Sequence, residues 1–378
     1  MVSNMNKLHF FAAVLAVAVA TACGCSSSDG PVESAFEISV EALNFKMGES
    51  KTLPVKQAAI KFTQCTTVKG WEYELGDNSL VLTAPSKGEV VVTEGVFKIY
   101  AIGEDGKDFD LEIPLSVELE KPVPDGKIRI LAVGNSFSED SVEQYLWEIA
   151  HDAGKDVIIG NMYIGGCSLE THLKNIKSNS GSYAYRKVVD GKKTSTINCQ
   201  ISRAFYDEPW DYVSIQQVSG MSGRYETYST VPEILTLLNE KAPEATFMWH
   251  STWAYQNGST HGDFPKYGSD QMTMYNAIIS ATKQVLADNP SLKILIPSGT
   301  AVQNMRATSI GDTMNRDGYH LNYDYGRYTA SCTWAAAVLG VDLSKVTWRP
   351  DTVDEATAAL CRRAAADAVA KPYEVTVH

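Results

Sequence analysis

A mainly parallel α/β sheet preceded by a small all-β sandwich is the architecture that this 378-residue sequence predicts. Three observations carry that prediction. Residues 34–120 break into short alternating runs, such as Phe97-Lys98-Ile99-Tyr100 and Leu111-Glu112-Ile113-Pro114-Leu115, separated by Gly, Asp, Asn and Ser turns, which is a strand-and-turn pattern. From Lys127 onward, apolar strand-like runs alternate with amphipathic helical segments, as βαβ units require. Between the two, Glu120-Lys121-Pro122-Val123-Pro124-Asp125-Gly126 is proline-rich enough to act as a semi-rigid linker.

The first 25 residues read as an export signal and anchor. Lys7 precedes the apolar run Leu8 to Ala20, and the small residues Thr21 and Ala22 stand directly before Cys23. The apolar run falls short of the roughly 20 residues that a membrane span needs. Ala-Thr-Ala-Cys resembles a bacterial lipobox, with Ala20 where Leu is commoner, so Cys23 is the expected lipidation site and an ordinary secretory cut near Ala22 is the other reading. An exported, membrane-anchored lipoprotein follows, on the outer membrane and facing either the periplasm or the cell exterior. Ser26 to Val32 then serves as a polar tether, and the 34–120 sandwich as an immunoglobulin-like spacer.

Seven cysteines are present, and export permits disulfides. Cys167 with Cys199 is a plausible loop-closing pair, although spacing does not fix connectivity. No close Cys/His cluster of the zinc kind occurs, so no metal site is expected. The formal charge of -12 argues against a nucleic-acid partner, because phosphate binding needs a basic face.

The second domain, residues 127–378, is long enough to bury one three-layer core. Its expected strands are Ile128 to Val133, Val157 to Ile164, Tyr212 to Gln216, Thr246 to His250 and Leu292 to Ile296, giving five. Val142, Tyr145, Leu146 and Ile149 mark one helical face, Ile234, Leu235 and Leu238 another, and an alanine-rich helix closes the chain. The segment Asn175 to Ser202 reads as a long polar insertion, functional or mobile.

Chemistry concentrates in a few blocks. Asp317-Gly318-Tyr319-His320 sets an acid and an imidazole three positions apart, and Gly134-Asn135-Ser136-Phe137-Ser138 offers a hydroxyl far upstream. A hydroxyl is a weak nucleophile until an imidazole takes its proton, and the imidazole needs a carboxylate to fix its tautomer. Ser136 follows a predicted strand, and Ser138, Glu139 and Asp140 suit the N-cap and the positive end of a helix. The turn therefore falls at the carboxyl edge of the sheet, where parallel α/β folds bind ligands.

Across about residues 127 to 340, the order of these blocks resembles the SGNH (GDSL-like) hydrolase superfamily, whose domain is a flavodoxin-like three-layer fold. The opening Gly-Asn-Ser-Phe-Ser, the pair Gln216-Gln217 and the closing Gly-Tyr-His-Leu-Asn look like a little-characterised branch found in Bacteroidetes lipoproteins. The resemblance implies Ser136 as nucleophile, His320 as general base and Asp317 as its orienter, with Asn135 replacing the usual Asp. It implies that Gly166, in Ile164-Gly165-Gly166-Cys167-Ser168, donates its backbone N–H to the oxyanion. Where the family has Gly-x-Asn-Asp, this chain has Ile215-Gln216-Gln217-Val218-Ser219-Gly220. Gln216, Gln217 or the Ser219 hydroxyl can supply the missing donor, and Gln217 is favoured.

Substrate choice is expected at the rim. Trp249-His250-Ser251-Thr252-Trp253-Ala254-Tyr255 ends the fourth strand and leads into a polar segment from Gln256 to Asp270. His250, Trp253 and Tyr319 are candidate substrate contacts, since aromatic faces with polar tips suit a sugar ring. Core packing of Trp249 and a strand-end role for His250 are the plainer readings. Arg306 and Arg327 are candidate carboxylate holders or ordinary surface arginines. The expected function is a serine esterase that removes O-acyl groups, chiefly acetyl, from carbohydrate. A lysophospholipase or thioesterase is one alternative, and a catalytically silent glycan-binding surface lipoprotein is another.

Overall fold

The structure, a computed structural model, describes residues 36–37, 42–57, 60–86, 94–103, 106–118 and 125–377. The expected leader, Cys23, the tether and most of the proline-rich linker lie outside the described residues, as do Ile38 to Val40 and Val90 to Val92 of the expected strands.

The N-terminal region is all β: β1 (Phe36–Glu37), β2 (Leu43–Lys46), β3 (Ser50–Pro54), β4 (Lys56–Gln57), β5 (Ile60–Thr66), β6 (Glu72–Leu75), β7 (Ser79–Thr83), β8 (Glu94–Gly103) and β9 (Asp108–Glu118). They form a four-stranded sheet in the order β2-β9-β8-β5, a three-stranded sheet β3-β7-β6 and a small β1-β4 pair. Leu80 and Leu82 of one sheet share a core with Phe97, Ile99, Ile113 and Leu115 of the other. Their every-other-residue spacing is what a sheet with one buried face demands.

The second region opens with β10 (Ile128–Gly134), α1 (Ser136–Val142), α2 (Leu146–Asp152), β11 (Val157–Tyr163), α3 (Leu169–Ser178), β12 (Tyr183–Val189) and β13 (Lys192–Cys199). It continues with α4 (Ile201–Asp207), β14 (Tyr212–Ile215), α5 (Val231–Lys241), β15 (Thr246–His250), α6 (Gln271–Asp288), β16 (Leu292–Ile296), α7 (Ser298–Arg306), α8 (Tyr325–Leu339) and α9 (Glu355–Ala370). The five expected strands pair in parallel as β11-β10-β14-β15-β16. Ile130 and Ala132 of β10 enter a core with α1, α2, α8 and α9, whereas Leu131 and Val133 enter a second core with α3, α4 and α5. Burial on both faces explains the unbroken apolar runs and makes the three layers.

Two expectations are corrected. The polar segment from Asn175 to Ser202 contains the hairpin β12–β13, which extends the sheet to seven strands through an antiparallel pairing with β11. Its two-residue turn is Asp190-Gly191, with φ of 49° and 71°, a strong hairpin signal. The outer strand is exposed almost throughout, and its Lys-Lys-Thr-Ser-Thr composition suits a protected edge rather than a loop. The helical face of Val142, Tyr145, Leu146 and Ile149 is split between two short helices. The break comes where Glu143 turns a buried carboxylate toward Asn161 Nδ2 (2.7 Å), Arg186 and Lys193.

Candidate active site

Register brings the carboxyl ends of the parallel strands level: Gly134 pairs with Tyr163, Val133 with Ile215, Ile215 with Trp249, and His250 with Ile296. The segments that follow them therefore meet at one edge. Gly134 permits the tight exit from β10, since a Cβ there would lie 2.6 Å from Ser138 Oγ and 3.2 Å from Gln216 Cδ. The N-cap of α1 is Asn135, whose Oδ1 accepts from Phe137 N at 3.0 Å. Ser138, expected as a cap, instead donates to Asn135 O (2.7 Å) and Asn161 Oδ1 (2.9 Å). Ser136 is thus the first helical residue, half-buried, at the electropositive end of α1 where backbone N–H groups lack helical partners.

The turn after α7 returns to this serine. An isolated bridge between Asn315 and Leu321 and a bond from Arg316 N to His320 O (2.9 Å) close it. His320 Nε2 lies 2.8 Å from Ser136 Oγ, and His320 Nδ1 lies 2.7 Å from Asp317 Oδ2. A carboxylate facing Nδ1 puts the proton there, which leaves Nε2 as the acceptor for the serine hydroxyl. Asp317 Oδ1 also accepts from His320 N (2.8 Å) and Tyr319 N (3.2 Å). Burial pulls the Asp317 carboxyl upward, but the bonds from His320 and the two N–H groups outweigh it and hold the group below its ordinary value. Gly318 has a φ of +90°, and a Cβ there would lie 2.9 Å from Ser259 Oγ, so glycine lets the 256–259 segment close on the turn.

Gly166 has a φ of +63° and open space where a side chain would be. Among the described residues its N–H meets no acceptor. Asn135 Nδ2 donates to Cys167 O at 3.0 Å, tying this turn to the nucleophile turn. Asn135 thus links the turn of Gly166 to that of Ser136, and among the described residues neither of those two N–H groups meets an acceptor.

All of these residues fall within the segment 129–368 that matches the profile of a family described as a domain of unknown function, DUF4886. The chain belongs to the DUF4886 family. It is 46% identical to a DUF4886 family protein of known crystal structure from Bacteroides uniformis ATCC 8492, over 66% of this chain and 97% of that one, with a TM-score of 0.65. A putative SGNH hydrolase from Slackia heliotrinireducens is 23% identical over 56% and 98% of the two chains, with a TM-score of 0.37. Axe2, an acetylxylan esterase from Geobacillus stearothermophilus, is 11% identical over 60% and 98%, with a TM-score of 0.37. No curated protein matches the chain.

The remaining expected site residues of this DUF4886 domain are placed differently. Gln217 has no free donor: its Nε2 binds Thr227 O (3.1 Å) and Oγ1 (3.0 Å), while its Oε1 accepts from Leu169 N and Val218 N. It braces the start of α3 and is not available to an oxyanion. Gln216 is also engaged, donating to Asn135 Oδ1 (2.9 Å) and accepting from His250 Nδ1 (2.7 Å). Ser219 Oγ meets Tyr255 Oη at 2.8 Å.

His250 is 1% exposed and cannot touch substrate. Burial lowers its pKa to about 3, so it stays neutral, with Nε2 3.0 Å from Ser298 Oγ. Trp253 is also buried: it stacks on Phe137 at 4.2 Å and donates from Nε1 to Tyr319 O (2.8 Å), supporting the histidine turn from below. Trp249 lies in the core. Arg306 is buried on Asp312, Asn315 Oδ1 and Ala254 O, and Arg327 on Asp140 (2.6 Å), so neither is free for a ligand carboxylate.

Tyr319 alone of the expected contacts is half-buried at the rim, its ring 4.1 Å from that of His320. His261, which sequence reasoning missed, packs edge-on against it at 4.7 Å. Cys167 and Cys199 are free buried thiols, so the expected pairing does not form. The Cys167 thiol faces Ser168 O, and burial pushes it up to about 12. Among the described residues, no group of three or more His, Cys, Asp or Glu side chains could hold a metal ion.

Proposed function

We propose that this protein is a serine ester hydrolase. The observation that carries the reading is the hydrogen-bonded chain Asp317–His320–Ser136, with links of 2.7 and 2.8 Å. In the reaction His320 Nε2 takes the Ser136 proton as Oγ bonds to the ester carbonyl carbon. The resulting oxyanion faces the N–H groups of Ser136 and Gly166, and Asp317 stabilises the imidazolium. Collapse breaks the bond to the alcohol oxygen, which receives the proton from Nε2. Water, deprotonated by the same nitrogen, then releases the acid and regenerates Ser136.

The substrate we propose is an O-acyl group, above all O-acetyl, on carbohydrate. The departing alcohol must lie beside His320, whose ring is flanked by that of Tyr319, and Tyr319 in turn packs against His261 and Tyr255, with Ser219 behind Tyr255. Aromatic faces with hydroxyl and imidazole tips suit a polyhydroxylated ring. The N-terminal apolar run and Ala-Thr-Ala-Cys support a lipid anchor at Cys23 on an exported protein, with residues 34–120 as a spacer and 127–378 as the hydrolase unit.

The test is hydrolysis of 4-nitrophenyl acetate, butyrate and octanoate, followed by acetyl release from acetylated xylan. Acetate preference with release from the polysaccharide is expected. Octanoate preference would move the substrate to lysophospholipids or thioesters. Glycan binding without any turnover would leave a silent binding protein.

A further inference from the structure

We infer that Asp140 is a positioning residue, a buried clasp that sets His320 against Ser136. Its carboxylate is completely buried on α1, one helical turn beyond the serine. Leu321 N donates to its Oδ2 at 2.8 Å, and Arg316 Nη1 reaches both oxygens at 3.1 and 3.3 Å. Arg316 and Leu321 flank the Asp317–His320 segment on its two sides. Arg316 also donates from its backbone to His320 O and from its guanidinium to Leu321 O. Apart from the Ser136–His320 bond itself, these are the polar links between α1 and the histidine turn among the described residues.

Burying a carboxylate is costly unless it is paired and fully hydrogen-bonded. Here it is paired twice. Arg327 on α8 supplies the second cation at 2.6 Å without a hydrogen bond to residues 315–321, and Arg316 and Arg327 both lie over the Tyr323 ring at 4.7 Å. Asp140 thus joins three elements: the helix with the nucleophile, the turn with the base, and the helix behind both. General-base catalysis depends on the oxygen-to-nitrogen distance, and a misplacement of about 1 Å can cost roughly 10²-fold. A two-point carboxylate on one side and an arginine closing the turn on the other hold that distance before substrate arrives.

The experiment compares Asp140→Asn, Arg316→Gln and Arg327→Gln in the full chain. It reads kcat and KM on 4-nitrophenyl acetate, the inactivation rate by a fluorophosphonate, and the melting temperature. Fluorophosphonate capture reports the reactivity of Ser136 separately from ester binding. Asp140→Asn and Arg316→Gln are expected to lower kcat and the inactivation rate together by roughly 10- to 100-fold with KM little changed. Arg327→Gln is expected to lower the melting temperature with a much smaller effect on either rate. Should Asp140→Asn fail to fold, Arg316→Gln carries the test, since it leaves Asp140 paired with Arg327 and Leu321 N–H. Equal losses of reactivity in Arg316→Gln and Arg327→Gln, or melting-temperature losses with the parent's inactivation rate, would overturn the assignment.

Discussion

Two serine–imidazole pairs stand at the carboxyl edge of the same sheet. In one, His320 Nε2 is 2.8 Å from Ser136 Oγ and Nδ1 is 2.7 Å from Asp317 Oδ2. In the other, His250 Nε2 is 3.0 Å from Ser298 Oγ and Nδ1 is 2.7 Å from Gln216 Oε1. The distances are nearly interchangeable, yet the surroundings are opposite. The third member is a carboxylate in the first pair and an amide in the second, and only a carboxylate stabilises the imidazolium that proton transfer creates. Ser136 is half-buried at a helix N-terminus, whereas His250 and Ser298 are sealed. Hydrogen-bond geometry therefore does not by itself mark a catalytic pair; charge on the third partner and access for substrate do.

The largest expected effect separates the two pairs directly. Ser136→Ala and His320→Ala should each lower kcat by roughly 10⁴- to 10⁶-fold, as loss of a triad nucleophile or base does. Ser298→Ala should leave turnover near that of the parent. Rates on 4-nitrophenyl acetate decide the matter, and a comparable collapse in Ser298→Ala would break the comparison. Next in size is Asp317→Asn, which makes the first pair imitate the second. Its kcat should fall by roughly 10²- to 10⁴-fold while KM changes little, and an unchanged kcat would remove Asp317 from the reaction.

The buried imidazoles should also answer to acid. Burial lowers His250 to about 3 and His172, against Tyr183 Oη, to about 4, from an ordinary 6.5. Their folded-state values lie below their unfolded ones, so the unfolded chain binds more protons between these limits. Stability from both groups is present above about 6.5 and is lost as pH falls toward 4 and 3. The slope approaches ~1.4 kcal/mol per pH unit for each imidazole. Urea midpoints from pH 7 to 4 should decline, and His250→Gln should decline less steeply.

Sequence and structure agree where the chemistry is local. The five parallel strands, the Asp-x-x-His spacing and the serine after the first strand were legible because each depends on neighbours in the chain. His250 and Trp253 misled because a strand end and a rim differ only in what packs over them: Phe137 stacks on Trp253, and Trp253 and Trp334 pack against His250. The hairpin hid behind a polar edge strand, although Asp190-Gly191 signalled it. Asp140 was legible only as a helix-end acid, because its partners Arg316 and Arg327 lie far along the chain from it.

The smallest expected effects divide the two adjacent glutamines. Gln216→Leu removes the bridge between His250 and Asn135, leaving a buried N–H and one lobe of Asn135 Oδ1 without partners. Each unsatisfied group costs roughly 1–3 kcal/mol. Because Asn135 also caps α1 and ties down the Cys167 turn, turnover should fall together with stability. Gln217→Leu loses bonds to Leu169 N and Thr227 instead, which fix the start of α3 and not the serine. Its denaturation midpoint should fall by a similar amount while kcat stays closer to that of the parent. A kcat loss of roughly 10²- to 10³-fold in Gln217→Leu would have the size of a lost oxyanion donor. It would mean that Gln217 exchanges Thr227 for the oxyanion when substrate binds, and the buried brace would then be the resting state of a catalytic amide.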